Sequence, residues 1–445
     1  MPFARARHLF TAALLVATTA GAAGTAAPGA HAAAATCQGR PVTITGAAGQ
    51  VVTGTDGPDV IVPEGARRVL ALGGDDLVCL EAADDAFVDA GAGDDVVTDA
   101  ARDAGTVVLG AGADTFVGSD MSVTTGDAQQ PLTRRSRTTD AERDVVRALG
   151  HSVVHTGQVG LPNADEVEVS NGSVLFRGSE LTAEGRLHSE LTDAYLAVID
   201  LPTGGWDLDN RTGLATRDGV EALRWSGFSR FGWYSPAAAS LRFTGSGASE
   251  LLLLDDEVRG PASRATVSMG AGADLLRTDP DALAGNSFDG GPGRDEVFHD
   301  RGKGRLTVNL RTRQLDLTLD GLLHSNRIDA FEALRLGARR IALYGDASAT
   351  RAYLRGCFVR AQGGRGADVL AASRTLGTGR DYDAPAGGAP CRERARLAGG
   401  PGDDRLCGTP NRDRLLGGPG FDRARDRGRA QDVVRVERLT RRLRC

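Results

Sequence analysis

The residues best placed to do chemistry in this chain are aspartates at a fixed position in a nine-residue pattern. Two small residues and a turn precede the Asp; one residue of any type and then a large apolar one follow it. The pattern reads GTDGPDVIV at 54–62, ALGGDDLVC at 71–79, AGAGDDVVT at 90–98 and LGAGADTFV at 109–117. It returns as MGAGADLLR (269–277), GGPGRDEVF (290–298), GGRGADVLA (363–371), GGPGDDRLC (399–407), GTPNRDRLL (408–416) and GGPGFDRAR (417–425), with a weaker copy, LGTGRDYDA, at 376–384. The sixth positions are Asp59, Asp76, Asp95, Asp114, Asp274, Asp295, Asp368, Asp404, Asp413 and Asp422. Carboxylates are hard oxygen donors, and calcium gathers about 6–8 such oxygens. The glycines let the backbone turn sharply with positive φ and aim carbonyl oxygens inward.

Spacing predicts how these groups stack. If two nonapeptides make one coil, residues about 18 apart lie above one another. Asp59, Asp76, Asp95 and Asp114 are 17, 19 and 19 residues apart, so they should form one row at the strand spacing of about 4.8 Å. Carboxylates that close repel one another unless a cation sits between them. The opposite corner should fall near Val51, Arg67 or Arg68, Asp85, and Asp103 or Ala104. Arginines there predict an acidic ladder on one side only. At the C-terminal end Asp404, Asp413 and Asp422 are nine apart, followed by Asp432, although Arg405, Arg412, Arg414 and Arg423 flank them.

The repeat resembles the GGxGxDxUx motif of RTX (haemolysin-type) calcium-binding proteins. The resemblance covers about a third of the chain and implies an all-β, right-handed parallel β-roll or β-helix solenoid with Ca2+ held between turns and ordering the fold. One departure is the N-terminus. MPFARARH followed by LFTAALLVATTA and Ala30-His31-Ala32 has the basic, apolar, small-residue order of a secretory leader. A released, extracellular protein without a membrane span is therefore expected.

Composition agrees with a coil of short strands. There are 60 glycines and only 5% aromatic residues, too few large side chains for an ordinary core of this length. The six cysteines, 37, 79, 357, 391, 407 and 445, read as disulfides in an exported chain. Cys37 with Cys79 is the expected pair because that half holds no other cysteine, and the remaining four are left to staple the C-terminal part. The net charge of −6 hides an acidic segment from Cys37 to Asp127 and an arginine-crowded one after Cys391. Those arginines alternate with Asp and Glu, which predicts mutual neutralisation rather than nucleic-acid binding.

A longer periodicity lies beneath the first. LDNRTGLATRDG (208–219) matches LRTRQLDLTLDG (310–321), and Gly245 matches Gly345 one hundred residues later. The organisation expected is a leader at 1–32, a β-roll at 33–120, an irregular β segment at 121–195, duplicated solenoid modules at 196–375, and disulfide-linked repeats at 376–445. TRRSRTTDAERDVVRALG (133–150) suggests a loop followed by a short helix. HExxH and GxSxG are missing, and HSVVH (151–155) has no Glu and a β-branched run that favours a strand. The chain thus reads as non-catalytic. The alternative is a carbohydrate-active solenoid enzyme, a polysaccharide lyase or epimerase, using Trp206, Trp225 and Trp233 near Asp207 and Asp209.

Overall fold

The computed structural model describes residues 35–445 except 81–85, 101–104, 127–141, 158–160, 178–179, 183, 192, 200–202, 235–238, 255–263, 279–284, 301–302, 373–392, 426–431, 441–442 and 444–445. The expected leader (1–32), the weak repeat at 376–384, Asp85, Asp103, Ala104, Cys391 and Cys445 lie outside the described residues. Every regular element is a β-strand. Consecutive strands alternate between two long ladders, each strand pairing in register with the one a coil earlier. This is a parallel β-solenoid.

Alternation of side chains builds the core. In one sheet Ile61, Val78, Val97, Phe116, Val146, Val167, Leu187 and Trp225 are direct register neighbours, all buried. In the other, Val52, Val69 and Val88 begin a column that continues through Val107, Val123, Val154 and Val174. One large apolar residue per strand therefore suffices, each stabilising by about 1.5–3 kcal/mol when fully buried.

The second sheet is parallel throughout: its 18 strands run from Val51–Thr53 to Arg438–Leu439. The first departs from parallel pairing twice. Strands Gly204–Asp209, Leu214–Arg217 and Val220–Ser226 form an antiparallel meander, as do Arg305–Asn309, Gln314–Leu319 and Leu322–Asp329. In each case the last strand joins the preceding coil and the first joins the following one. The two meanders are the structural counterpart of the duplication read at 208–219 and 310–321.

One expectation for residues 121–195 needs correction. Both long ladders continue through this segment, and a separate two-stranded ladder joins Pro162–Asn163 to Glu180–Leu181. Val145–Leu149 is a strand, not a helix. Val146 and Ala148 face the core while Arg147 and Leu149 are exposed, and this period of two outweighs the helix-forming residues nearby. His155 belongs to the adjoining strand Val153–Thr156, whereas His151 precedes it and is exposed, so the pair does not form a helical metal motif.

Cys37 and Cys79 are disulfide-bonded, with Cα atoms 5.9 Å apart. The bond fastens the hairpin Thr36–Pro41 to strand Leu77–Leu80. Cys357 and Cys407 each take part in a further disulfide. Among the described residues no helix is long and apolar enough to cross a membrane.

Candidate functional site

Each repeat aspartate stands immediately before a strand, at the corner where the coil turns into a sheet. The backbone N–H of one such Asp donates to the Oδ1 of the Asp one coil later. Asp59 N–H reaches Asp76 at 2.7 Å, Asp76 reaches Asp95 at 2.8 Å, and Asp95 reaches Asp114 at 2.8 Å. The row extends to Asp144 and Asp165, at 2.9 and 3.2 Å. The separations of 17, 19 and 19 residues thus correspond to one coil each. The opposite corner carries Gln50, Arg67, Ala86 and Gly105, linked only through backbone bonds, so the acidic row is one-sided here as expected.

Beyond the first meander the row changes corner and leads into the other sheet. Glu250 N–H donates to Asp274, Asp274 to Asp295, and Asp295 to Glu332. Thr350 follows, donating to Asp368, then Asp368 to Asp404, Asp404 to Asp422, and Asp422 to Glu437. Asp413 and Asp432 form a separate pair across the coil, with 2.7 Å from Asp413 N–H to Asp432 Oδ1. Nine-residue spacing therefore alternates corners, and stacked partners lie one coil apart, 15 to 37 residues along the chain.

Asp144, Asp165, Glu250, Glu332, Asp432 and Glu437 have no place in the sequence-derived set of ten. The usable signal was an acidic residue directly ahead of a strand, as in DVVRAL, EVEV after Asp165, and ELLLL. The nonapeptide was too strict a filter, because the corner needs an acceptor and tolerates either Glu or different turn lengths.

The glycines have steric reasons. At Gly399, the first residue of its repeat, a Cβ would lie 1.9 Å from Oδ2 of Asp404. The carboxylate folds back over that position and excludes any side chain. Gly402 sits at φ +144°, and its Cβ would come 1.8 Å from the carbonyl oxygen of Gly366 in the coil below. Turns stack backbone on backbone only with glycine there.

The second carboxylate oxygen separates the ten aspartates into two groups. In Asp76, Asp95, Asp114, Asp274, Asp295, Asp368, Asp404 and Asp422, Oδ2 is buried with no hydrogen-bond partner. In Asp59 and Asp413 it is satisfied. Thr55 donates to Asp59 from both its N–H (2.8 Å) and its hydroxyl (2.9 Å), and Thr409 does the same for Asp413. Both belong to GT repeats, in which threonine replaces the second glycine. The threonine occupies the carboxylate oxygen that the GG repeats leave bare.

Burial raises the pKa of the bare groups. Desolvation, assisted by the charges of Asp114 and Asp76, pushes Asp95 up to about 8. Asp76, Asp114, Asp274 and Asp368 rise to about 6 and Asp404 to about 7, in each case chiefly through burial. Asp295 and Asp422 shift upward for the same reason. The hydrogen bond from the neighbouring backbone opposes the shift throughout but does not offset it.

No protein-family model matches the chain, and no curated protein matches it either.

The three tryptophans are core residues. Trp206, Trp225 and Trp233 are buried. Trp206 meets Trp233 edge-on with centroids 5.9 Å apart, and Trp225 meets Phe231 at 5.8 Å. Asp207 and Asp209 alternate with Trp206 and Leu208 and therefore point to the other face, where they pair with Arg242 and Arg211. In the second meander Leu306, Val308 and Leu315 fill the interior, so the aromatics serve as core volume in the first copy.

Asp404, Asp413 and Asp422 are buried in the corners, whereas Arg405 and Arg414 are exposed on the strands that follow. The alternation that interleaves the charges in sequence sends them to opposite sides of the chain trace.

Proposed function

We propose that this chain is a secreted, non-catalytic, calcium-stabilised β-solenoid, with Ca2+ bound along its carboxylate rows. The observation carrying the reading is the set of buried Oδ2 atoms without partners that recurs from coil to coil along these rows. Stacked at the strand spacing, such carboxylates require either protons or cations. Hard oxygens beside glycine-rich turns suit calcium, whose coordination is flexible and readily includes backbone carbonyls. Among the described residues no three acidic, His or Cys side chains converge on one point. Backbone carbonyls and water would thus supply most of the oxygens, with the repeat aspartates contributing the charge. Asp76, Asp95, Asp114, Asp274, Asp295, Asp368, Asp404 and Asp422 fit this role. Asp59 and Asp413 fit it poorly because threonine already satisfies them.

The test is calorimetric titration with calcium, together with thermal unfolding of the chelated and calcium-loaded protein at pH 5 and pH 8. A group whose folded pKa is raised supports the fold below its unfolded pKa and loses that support as pH rises through the folded value. For these aspartates the window runs from about 4 to between 6 and 8. The metal-free fold should weaken across it. Calcium should restore stability at pH 8 and do little at pH 5, where protons occupy the same oxygens. Equal melting temperatures with and without calcium at pH 8 would refute the reading.

A further inference from the structure

We infer that the outer face of the first sheet, over its C-terminal coils, is a binding surface for an acidic polysaccharide. This inference is independent of the calcium reading and uses different residues. The strands Arg340–Tyr344, Phe358–Gln362, Arg394–Ala398 and Arg414–Leu416 are consecutive rungs of that sheet. Register places Arg360, Arg396 and Arg414 side by side in one row. All three are exposed. A second row two residues away holds Arg340, Phe358 and Arg394.

None of the outward positions on these four strands is acidic. Among the described residues Arg360, Arg394, Arg396 and Arg414 form no ion pair, in contrast to the arginines of the middle coils, such as Arg143 with Glu166 or Arg355 with Asp300. Like charges one strand spacing apart repel by about 1 kcal/mol even in water. A face that sustains this repulsion without a compensating acid is complementary to an anionic partner.

Geometry selects the partner. The row advances about 4.8 Å per arginine, close to the length of one sugar ring in an extended chain. A uronic acid polymer can set a carboxylate over each guanidinium in turn, and Arg binds carboxylates through two parallel hydrogen bonds. Phe358, 45% exposed with Arg340 stacked 5.4 Å from its ring centroid, offers an apolar patch for a sugar-ring face. A stacked nucleic-acid strand advances about 3.4 Å per nucleotide along its axis, out of step with the row.

The experiment titrates the mature protein with a short oligogalacturonate at low salt, with and without calcium, reading whichever buffer keeps the protein folded by circular dichroism. The wild type should bind, and rising salt should weaken binding on the order of tenfold as counterions return. The triple variant Arg360→Gln/Arg396→Gln/Arg414→Gln should lose roughly tenfold or more in affinity, by about 1.4 kcal/mol per decade, without a fall in melting temperature. Arg147→Gln/Arg186→Gln, exposed on the same sheet far from this face, should bind like the wild type, and neutral dextran should not bind at all. Absence of oligogalacturonate binding by the wild type, or unchanged binding by the triple variant, overturns the inference. Tighter binding of oligothymidylate through the same three arginines overturns it in favour of a nucleic-acid surface.

Discussion

Replacing Asp95 with Asn should have opposite effects in the absence and presence of calcium. The amide retains an oxygen to accept the Asp76 N–H, now 2.8 Å from Asp95 Oδ1, so the backbone contact between coils survives. What disappears is a carboxylate whose pKa burial has pushed to about 8. At pH 8 a shift of that size from the ordinary value corresponds to an upper bound of about 5 kcal/mol, at 1.36 kcal/mol per unit. Solvent screening and local relaxation reduce this to roughly 2–3 kcal/mol. In chelator at pH 8 the variant should therefore melt roughly 2–4 °C above the wild type. With calcium the order should reverse, because the variant has lost a charged ligand and gains less from the metal. The assay is differential scanning calorimetry of both proteins in chelator and in millimolar calcium. At pH 4 the two metal-free proteins should converge, since the wild-type carboxylate is then protonated. A metal-free variant less stable than the wild type at pH 8 would refute the claim that the bare carboxylate burdens the fold. An undiminished calcium response would remove Asp95 from the ligand set.

Other consequences are equally direct. Asp59→Asn and Asp413→Asn should leave the heat of calcium binding close to that of the wild type, because Thr55 and Thr409 already satisfy those carboxylates; loss of a binding event in either would show that the threonine contacts give way to metal. Gly402→Ala, placing a methyl 1.8 Å from a backbone oxygen at φ +144°, should destabilise by several times the ~1 kcal/mol typical of a strained glycine replacement, measured by urea unfolding. Trp206→Ala should cost about 3–5 kcal/mol through loss of core volume while leaving oligogalacturonate affinity unchanged, a result that a sugar-binding tryptophan would contradict. Reducing the Cys37–Cys79 bond, which closes a 42-residue separation, should cost about 2–4 kcal/mol on the chain-entropy account, followed as a lower melting temperature of a Cys37→Ser/Cys79→Ser variant.

Much of this molecule is written locally. Each rung needs one turn, one acceptor and one large apolar residue, and all three fall within nine residues. The chain thus displays its coil period, its one-sided N-terminal acidic row and its 100-residue duplication before any folding is considered. Cys37–Cys79 followed from scarcity of alternatives. What was not legible depends on which side of the coil a residue reaches. Asp144 and Asp165 join the row across gaps of 30 and 21 residues, because only the strand is held in register and the connection can be any length. Thr55 and Thr409 look like ordinary turn residues until the carboxylate is seen folded back on them. The same alternation that buries Asp404 and Asp413 turns Arg405 and Arg414 outward, so these neighbours in sequence point to opposite sides. Stacking, too, gathers Arg360, Arg396 and Arg414 from three separate coils into one row. A period along the chain is a short-range property of turns and side chains. Which residues become neighbours across coils depends on parallel pairing, and that exists only once the solenoid has closed.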